Sequence, residues 1–360
     1  MDHRSALAEQ PASQARSVRD RARGGASTPV SGRTPPVSEE GPPEAWMSRV
    51  REDYEDHPGI ADRILGNVSD PRWRGLRLNS LRGDPDRTRR ELEDAGIAGE
   101  SLPWFEDAIV VDEGTAQRAK DHPAWNEGRI ILQSPSSLAA VRALDARPGE
   151  RILDLCAAPG GKSAAIAAST GGPIDLVAND RSRNRCHRMR ALFETLGVEA
   201  GIRTGPGERM PGPREGGFDR VLVDVPCSGE GRFHVDDPRT WAEWTPKATR
   251  RLASLQKSLL HAAIQLVRPG GRIVYSTCTL GRTENEAVIA RALQRYGDEP
   301  HRIVLDPLPE EIPEGVPLID PPDEVHADSS MRRFVPDGTG STVRRSLDGF
   351  FIAALRTRGG

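Results

Sequence analysis

The distribution of apolar residues along the chain changes rhythm at Pro148-Gly149. Beyond that turn, short apolar runs alternate with longer amphipathic stretches, the pattern of a mostly parallel sheet with crossover helices. Strands are predicted at residues 151–155, 174–179, 198–203, 218–223 and 271–277, and helices at 161–169, 183–196 and 247–267. Another helix is predicted to open on a capping box, Thr283-Glu284-Asn285-Glu286, in which Thr and Glu satisfy each other's terminal N–H groups, and to continue through Val288, Ile289 and Leu293. Strands at 302–305 and 350–355 complete a seven-stranded sheet, with 307–345 as a long polar excursion. From Trp46 to about Arg147 the elements are shorter and mixed: helical at 60–65 and 88–95 with a Gly96 stop, strand-like at 73–78, 108–111 and 129–132, and a helix opening on Ser134-Pro135. The pattern predicts a small α/β domain over 44–147 and a larger α/β domain over 148–360. Residues 1–43 hold almost nothing large and apolar and are read as a disordered tail, whose six arginines are offset by acidic residues.

Composition narrows this picture. With 360 residues, 36% of them apolar, and a net charge of −3, the chain has the material for a hydrophobic core and lacks a global field to attract a polyanion. A nucleic-acid surface must then be local. No apolar run approaches the ~18 residues that cross a bilayer, and the first residues lack the apolar stretch or apolar helical face of a leader. The expectation is a cytoplasmic protein, monomeric, with no membrane partner. Cys156, Cys186, Cys227 and Cys278 stand too far apart in sequence for a disulfide framework or zinc cluster, so free thiols and no metal are expected. Only four basic residues are lysines: Lys120, Lys162, Lys247 and Lys257.

The chemistry gathers at strand ends. Asp154 closes the strand that runs into Cys156-Ala157-Ala158-Pro159-Gly160-Gly161-Lys162-Ser163, a small-residue turn that lets backbone approach a ligand. Its spacing is not that of an ATP-binding phosphate loop, and no Gly-x-Gly-x-x-Gly is present. One strand later Asp180 stands where an α/β fold grips a ribose diol, or else caps the following helix. Asp224-Val225-Pro226-Cys227 follows the fourth strand and Cys278 the fifth, so parallel strands bring a carboxylate and two thiols to one edge. Cys186, within its helix, reads as a core cysteine. Methylation at a pyrimidine C5 needs a thiolate that adds at C6, a group holding the N3/N4 edge, and a base that later removes the C5 proton. Proton inventory does not decide which thiol attacks.

The ordered set Asp154 to Lys162, Asp180, Asp224-Val225-Pro226-Cys227-Ser228-Gly229, Gln256, Pro269-Gly270-Gly271, Tyr275-Ser276-Thr277-Cys278, Glu284-Asn285-Glu286 and Asp348-Gly349-Phe350-Phe351 resembles the Nop2/Sun family of RNA (cytosine-5)-methyltransferases over about residues 72–356. The resemblance implies a class I methyltransferase fold and S-adenosyl-L-methionine as cofactor. It implies Cys278 as nucleophile, Cys227 assisting product release, Asp224 at the base edge and cofactor zone, and Pro226 shaping the pocket. It also implies that residues 156–162 wrap the methionine part of the cofactor, that Lys162 is a charged contact, that Asp180 holds the ribose and that Arg185 adds a contact. An ordinary thiol is mostly protonated at neutral pH, and Lys162 is the candidate for activating Cys278. One departure is Gly207, which stands where the family usually has an Asp near the adenine; Glu208 is the candidate substitute.

For RNA, with rRNA favoured over tRNA, the candidate contacts are Arg72, Arg74, Arg77 and Asn79 on the small domain and Arg232, His234, Arg239, Arg250 and Arg251 beyond the first cysteine. Trp46, Trp73, Trp104 and Trp125 are read as core or interface residues, and Trp241 and Trp244 as bracing the loop after Cys227. The alternatives are a same-fold methyltransferase acting on a non-RNA substrate, and a binding protein without turnover.

Overall fold

The computed structural model describes residues 41–70, 73–212, 216–297, 303–322, 327–338 and 340–358. The tail expected over 1–43 falls almost wholly outside them. Two helices, α1 (Glu44–Asp53) and α2 (Pro58–Gly66), precede an antiparallel sheet of β1 (Trp73–Leu78), β2 (Glu100–Leu102), β3 (Phe105–Asp112) and β4 (Ile130–Leu132), ordered β2-β3-β1-β4. Helices α3 (Pro85–Asp94), α4 (Glu113–Asp121) and α5 (Pro123–Asn126) connect its strands. Asp84 and Asp112 cap α3 and α4 by accepting the N–H groups of Arg87 and Thr115, a helix-start signal that places α3 three residues earlier than its apolar period does.

Helix α6 (Pro135–Leu144) leads into the main sheet, whose path is β10 (Ile303–Leu305), β12 (Phe350–Thr357), β9 (Val267–Thr277), β8 (Phe218–Asp224), β5 (Arg151–Asp154), β6 (Asp175–Asp180) and β7 (Gly201–Thr204). The run β9-β8-β5-β6-β7 is parallel, and β12 is antiparallel to both of its neighbours on this path. Helices α7 (Gly161–Ser169), α8 (Arg183–Leu196), α9 (Pro246–Leu266) and α10 (Glu286–Tyr296) flank it. The central strands β8 and β5 are largely apolar on both faces because both are covered, whereas the edge strand β7 is mostly exposed. Val221 and Val223 join one core with α9 and α10, whereas Leu222 joins the other with α6 and with Leu102 and Trp104 of the small sheet. This is the class I methyltransferase architecture preceded by a smaller α/β subdomain.

Three sequence expectations change. The strand expected from Val198 starts at Gly201, because Gly197 ends α8 in the left-handed region and Val198 turns back to donate its N–H to Phe193 O. The capping box does not form. Thr283 lies in a 3-10 turn, Asn285 is the N-cap, and the carboxylates of Glu284 and Glu286 are taken by tertiary partners. The stretch 307–345 is not simply polar: Leu308, Ile312 and Phe334 are buried, and β11 (Met331–Phe334), preceded by the short α11 (Ala327–Ser330), adds an eighth strand against β12. The short α12 (Thr342–Arg345) then returns the chain toward β12.

The pairing that anchors this excursion is Arg333 with Glu286, both fully buried. Removing one partner of such a pair leaves an uncompensated charge and costs about 3–5 kcal/mol. We therefore expect Glu286→Gln to lower the denaturant midpoint strongly, and the double variant Glu286→Leu/Arg333→Met to recover much of the loss; equal midpoints for wild type and Glu286→Gln in equilibrium unfolding would contradict this.

Candidate active site

The turn after β5 is shaped by packing. Gly160 has φ +110°, and a Cβ there would lie 2.8 Å from Phe193 Cε1 and 2.9 Å from Met189 Cγ, so α8 can seat against the turn only if the position is glycine. Arg185, from α8, donates to Ala158 O and pairs with Asp180 Oδ2 at 3.0 Å. Asp180 Oδ1 accepts the Ser182 N–H at 2.9 Å, and Ser182 is the N-cap of α8. The turn, Asp180 and Arg185 thus form one assembly at the carboxyl edge of β5 and β6. Cys156, also in this turn, is held above its ordinary thiol range by burial and by Asp154, and Cys186 is buried as expected.

This edge has the chemistry that the fold's cofactor, S-adenosyl-L-methionine, requires. Asp154 is fully buried; its Oδ2 accepts from Ser163 at 2.7 Å while Oδ1 has no partner, leaving an acceptor for a cationic donor such as an amino acid's ammonium. Burial lifts its pKa to about 7. Asp180, though 2% exposed, retains acceptor capacity for a diol. Gly207 is buried where a Cβ would come 3.0 Å from Leu259 and 3.1 Å from Leu155, so a larger residue would displace core side chains. Half-buried Glu208 follows it in the 3-10 turn Gly207–Arg209.

The thiols meet because β8 and β9 are adjacent and parallel. Asp224 is in register with Ser276; Cys227, three residues past β8, and Cys278, immediately past β9, bring their Sγ atoms 3.2 Å apart. Asp224 accepts from Lys162 Nζ at 2.7 Å and from Ser276 Oγ at 2.8 Å. The Lys162 ammonium also lies 5.6 Å from the centroid of the Phe350 ring. Burial works against the charge on Lys162, but Asp224 outweighs it and holds the pKa above the ordinary lysine value.

The two sulfurs are not equivalent. The contact with Cys227 lowers the Cys278 pKa against the opposing effect of burial, helped by the positive charges of Arg232 and, less, Lys162. The same contact and burial push Cys227 well above the thiol range. Either sulfur can donate across this contact, and the Cys278 N–H also donates to Cys227 Sγ at 3.3 Å; the charges around the pair make Cys278 the sulfur more readily ionised. Lys162 adds to the lowering, behind the Cys227 contact and Arg232, whose charge thus bears on the thiol pair as well as on the cleft.

Two buried glutamates, neither singled out as site residues, hold the cysteine loops together. Glu230 accepts from Arg49 of α1 at 2.7 Å, from Trp244 Nε1 at 2.8 Å and from the N–H groups of Leu280 and Gly281 at 3.2 and 3.1 Å. Glu284 accepts from the Ser228 N–H at 3.0 Å and from Gln256 Nε2 at 2.7 Å, and burial raises its pKa. Gly231 seals the junction: a Cβ there would come within 1.8 Å of Gly349 O. Trp241 and Trp244 are buried and brace this loop, Trp241 packing edge-on to Phe233, which in turn meets Trp46.

The candidate RNA contacts are corrected in part. Arg77 and Asn79 are fully buried; Arg77 Nε donates to Gln133 Oε1 at 2.9 Å, and Asn79 Nδ2 donates to Gly128 O and Leu196 O. From Gly75 to Asn79 every residue is buried, so both faces of this end of β1 are covered and neither Arg77 nor Asn79 reaches a surface. Arg72 lies outside the described residues. Arg250 and Arg251 are exposed on α9, while Arg74 and Arg239 pair with Glu113 and Asp237 at 2.6 and 2.7 Å. Trp46 and Trp104 are buried, whereas Trp73 and Trp125 are only partly so.

If Cys227 donates to Cys278, Cys227→Ala should shift the pH midpoint of Cys278 alkylation upward, and Cys227→Ser should shift it less. Iodoacetamide labelling followed by peptide mass analysis across pH measures this; an unchanged or lower midpoint in Cys227→Ala would exclude Cys227 as the donor.

With this geometry in place, likeness to known proteins is informative. A family model described as 16S rRNA methyltransferase RsmB/F matches residues 141–356. The chain is 32% identical over 292 residues to the probable ribosomal RNA small subunit methyltransferase B of Bacillus subtilis, covering 79% of this chain and 60% of that protein. It is also 32% identical over 268 residues to the ribosomal RNA small subunit methyltransferase F of Shewanella amazonensis, covering 73% and 54%. It therefore spans little more than half the length of these relatives. A methyltransferase homolog from Pyrococcus horikoshii superposes with a TM-score of 0.70 at 27% identity, over 87% of this chain and 94% of that one. NSun6 from the same organism shares the fold with a TM-score of 0.72 at 20% identity, over 88% and 99%. The matched stretch contains the cofactor turn, both cysteine loops and the closing strand, and by that match the chain belongs to the 16S rRNA methyltransferase RsmB/F family.

Proposed function

We propose that this protein methylates C5 of cytosine in RNA, with ribosomal RNA of the small subunit as the favoured substrate over tRNA and S-adenosyl-L-methionine as methyl donor. The observation that carries the reading is the polarised thiol pair. Two cysteines 3.2 Å apart, one lowered and one raised in pKa, beside a Lys162–Asp224 pair, match a reaction in which one sulfur adds to a ring and the other exchanges a proton. The names of the relatives favour rRNA.

In this reading the Cys278 thiolate adds to cytosine C6, forming the C–S bond and moving electron density through the ring toward N3 and C5. Asp224, fixed by Lys162 and Ser276, accepts from the exocyclic N4 amino group and holds the ring edge as charge develops. The cofactor, when bound, supplies the electrophilic methyl group that C5 takes up. Residues 157–161 and Asp180 hold it, with Arg185 fixing both, Asp154 offering its unpartnered Oδ1, and Glu208 serving the adenine side in place of the usual Asp. Once C5 is methylated, its proton leaves to a base and the C6–S bond breaks, returning the electron pair to Cys278. Cys227 lies close enough to Cys278 to serve this elimination.

Cys278→Ala should abolish cytosine methylation. Cys227→Ala should still permit addition but slow elimination, leaving a covalent protein–RNA adduct. Each variant is incubated with labelled cofactor and small-subunit rRNA, and products are resolved under denaturing conditions. A stable adduct from Cys278→Ala rather than Cys227→Ala would exchange the roles, and 5-methylcytosine unchanged in both rRNA and tRNA of cells lacking the gene would overturn the substrate.

A further inference from the structure

A cleft of about 1300 Å³ is lined by Gly229 and Arg232 of the loop after Cys227 together with Trp73, Arg74 and Arg345. Two smaller cavities also have Trp73 on their walls, and one of them, of about 310 Å³, continues past Gln133 and Lys120. Trp73 is thus a wall common to all three. Together these cavities reach from Gly229, two residues past Cys227, to Leu132 of β4.

The cleft is not a uniformly basic groove. Arg74 and Arg239 are paired with Glu113 and Asp237, and His234 lies 3.6 Å from Asp236. Arg345, at the end of α12, differs from these. It is half-buried, its guanidinium carbon lies 5.4 Å from the centroid of the Trp73 ring, and among the described residues no carboxylate is within ion-pair distance of it. A guanidinium near an aromatic face keeps its charge and N–H donors, while the attraction of the ring biases where it sits. It is also less strongly hydrated than an ammonium, which lowers the cost of binding an anion there.

We propose that Arg345, held by Trp73, is a phosphodiester anchor for the RNA strand next to the target cytosine. The arginine donates to a backbone phosphate, and Trp73 sets its position. The inference rests on the RNA reading above and adds a specific contact to it. It adds one pre-positioned cation to a cleft in which Arg74 and Arg239 are held in ion pairs.

Binding of a fluorescein-labelled, single-stranded oligoribonucleotide containing one cytosine, followed by anisotropy over a series of KCl concentrations, tests this. Neutralising one phosphate contact on a single strand should flatten the slope of log K against log salt by about 0.7. For Arg345→Ala we expect that flattening together with a roughly three- to tenfold weaker Kd at low salt. Arg345→Lys should keep the slope, because the charge remains, but bind more weakly, because an ammonium lacks the planar fork of donors that grips a phosphate. Trp73→Ala should weaken binding, and Trp73→Phe should restore part of it. Circular dichroism melts of each variant separate misfolding from loss of contact. If wild type binds and a folded Arg345→Ala shows the same Kd and slope, the anchor is wrong while the RNA reading stands. If wild type does not bind RNA at any salt, that reading and the anchor both fail.

Discussion

The parallel pairing of β8 with β9 is the constraint on which the site depends. Its register sets Asp224 opposite Ser276 and so delivers one cysteine from each following loop to a separation of 3.2 Å. A one-residue slip would turn every side chain of one strand to the other face. It would send Val221 and Val223 out of one core and Leu222 out of the other, so packing on both faces enforces the register that the thiols need. Beyond the strands the backbone has no ladder to guide it. There Glu230 and Glu284 take over, each a buried carboxylate that ties the loop after β8 to the loop after β9. Buried charges are costly unless fully bonded, and Glu230 has four donors drawn from three parts of the chain.

That arrangement couples the N-terminal helix to the chemistry. Arg49 of α1 donates to the same Glu230 oxygen that receives the Leu280 and Gly281 N–H groups. Trp46, from the same helix, packs against Phe233 of the Cys227 loop. A helix remote in sequence from both cysteines therefore helps define the geometry between them. The electrostatics are similarly shared. Lys162 comes from α7, Asp224 from the end of β8 and Arg232 from the turn beyond it, and their combined field acts on the Cys278 side of the sulfur pair.

Much of this was legible in the sequence. Strand ends carrying Asp154, Asp180, Asp224 and the two cysteines could be placed on one edge because parallel strands with crossover helices leave few topologies. Helices α7 and α8 have the predicted bounds, since Gly161 and Gly197 mark an end of each with turn chemistry that is local. What local pattern could not show was where charged side chains spend their partners. Thr283 and Glu286 match a capping box, yet Glu286 is drawn to Arg333 from 47 residues away. Arg77 and Arg333 look like surface residues by type and are fully buried. Glu230 carried no signal beyond its place next to Ser228-Gly229, because its four donors are scattered across the sequence.

The same redistribution of charge bears on recognition. A net charge of −3 conceals arginines at the cleft that are neutralised locally by Glu113 and Asp237. Exposed ion pairs of this kind contribute little to stability, about 0–1 kcal/mol each, so an approaching phosphate can displace an acidic partner at small cost. The acidic residues still raise the potential energy of any strand that does not replace them contact for contact. For the proposed RNA substrate, binding would depend on the match between phosphate spacing and arginine positions more than on total charge. In such a cleft non-specific polyanions gain little, and a strand that fits both the arginines and the cysteine edge gains most. On the proposed RNA reading, a charge-balanced cleft next to the thiol pair would link selection of the strand to placement of the reacting ring.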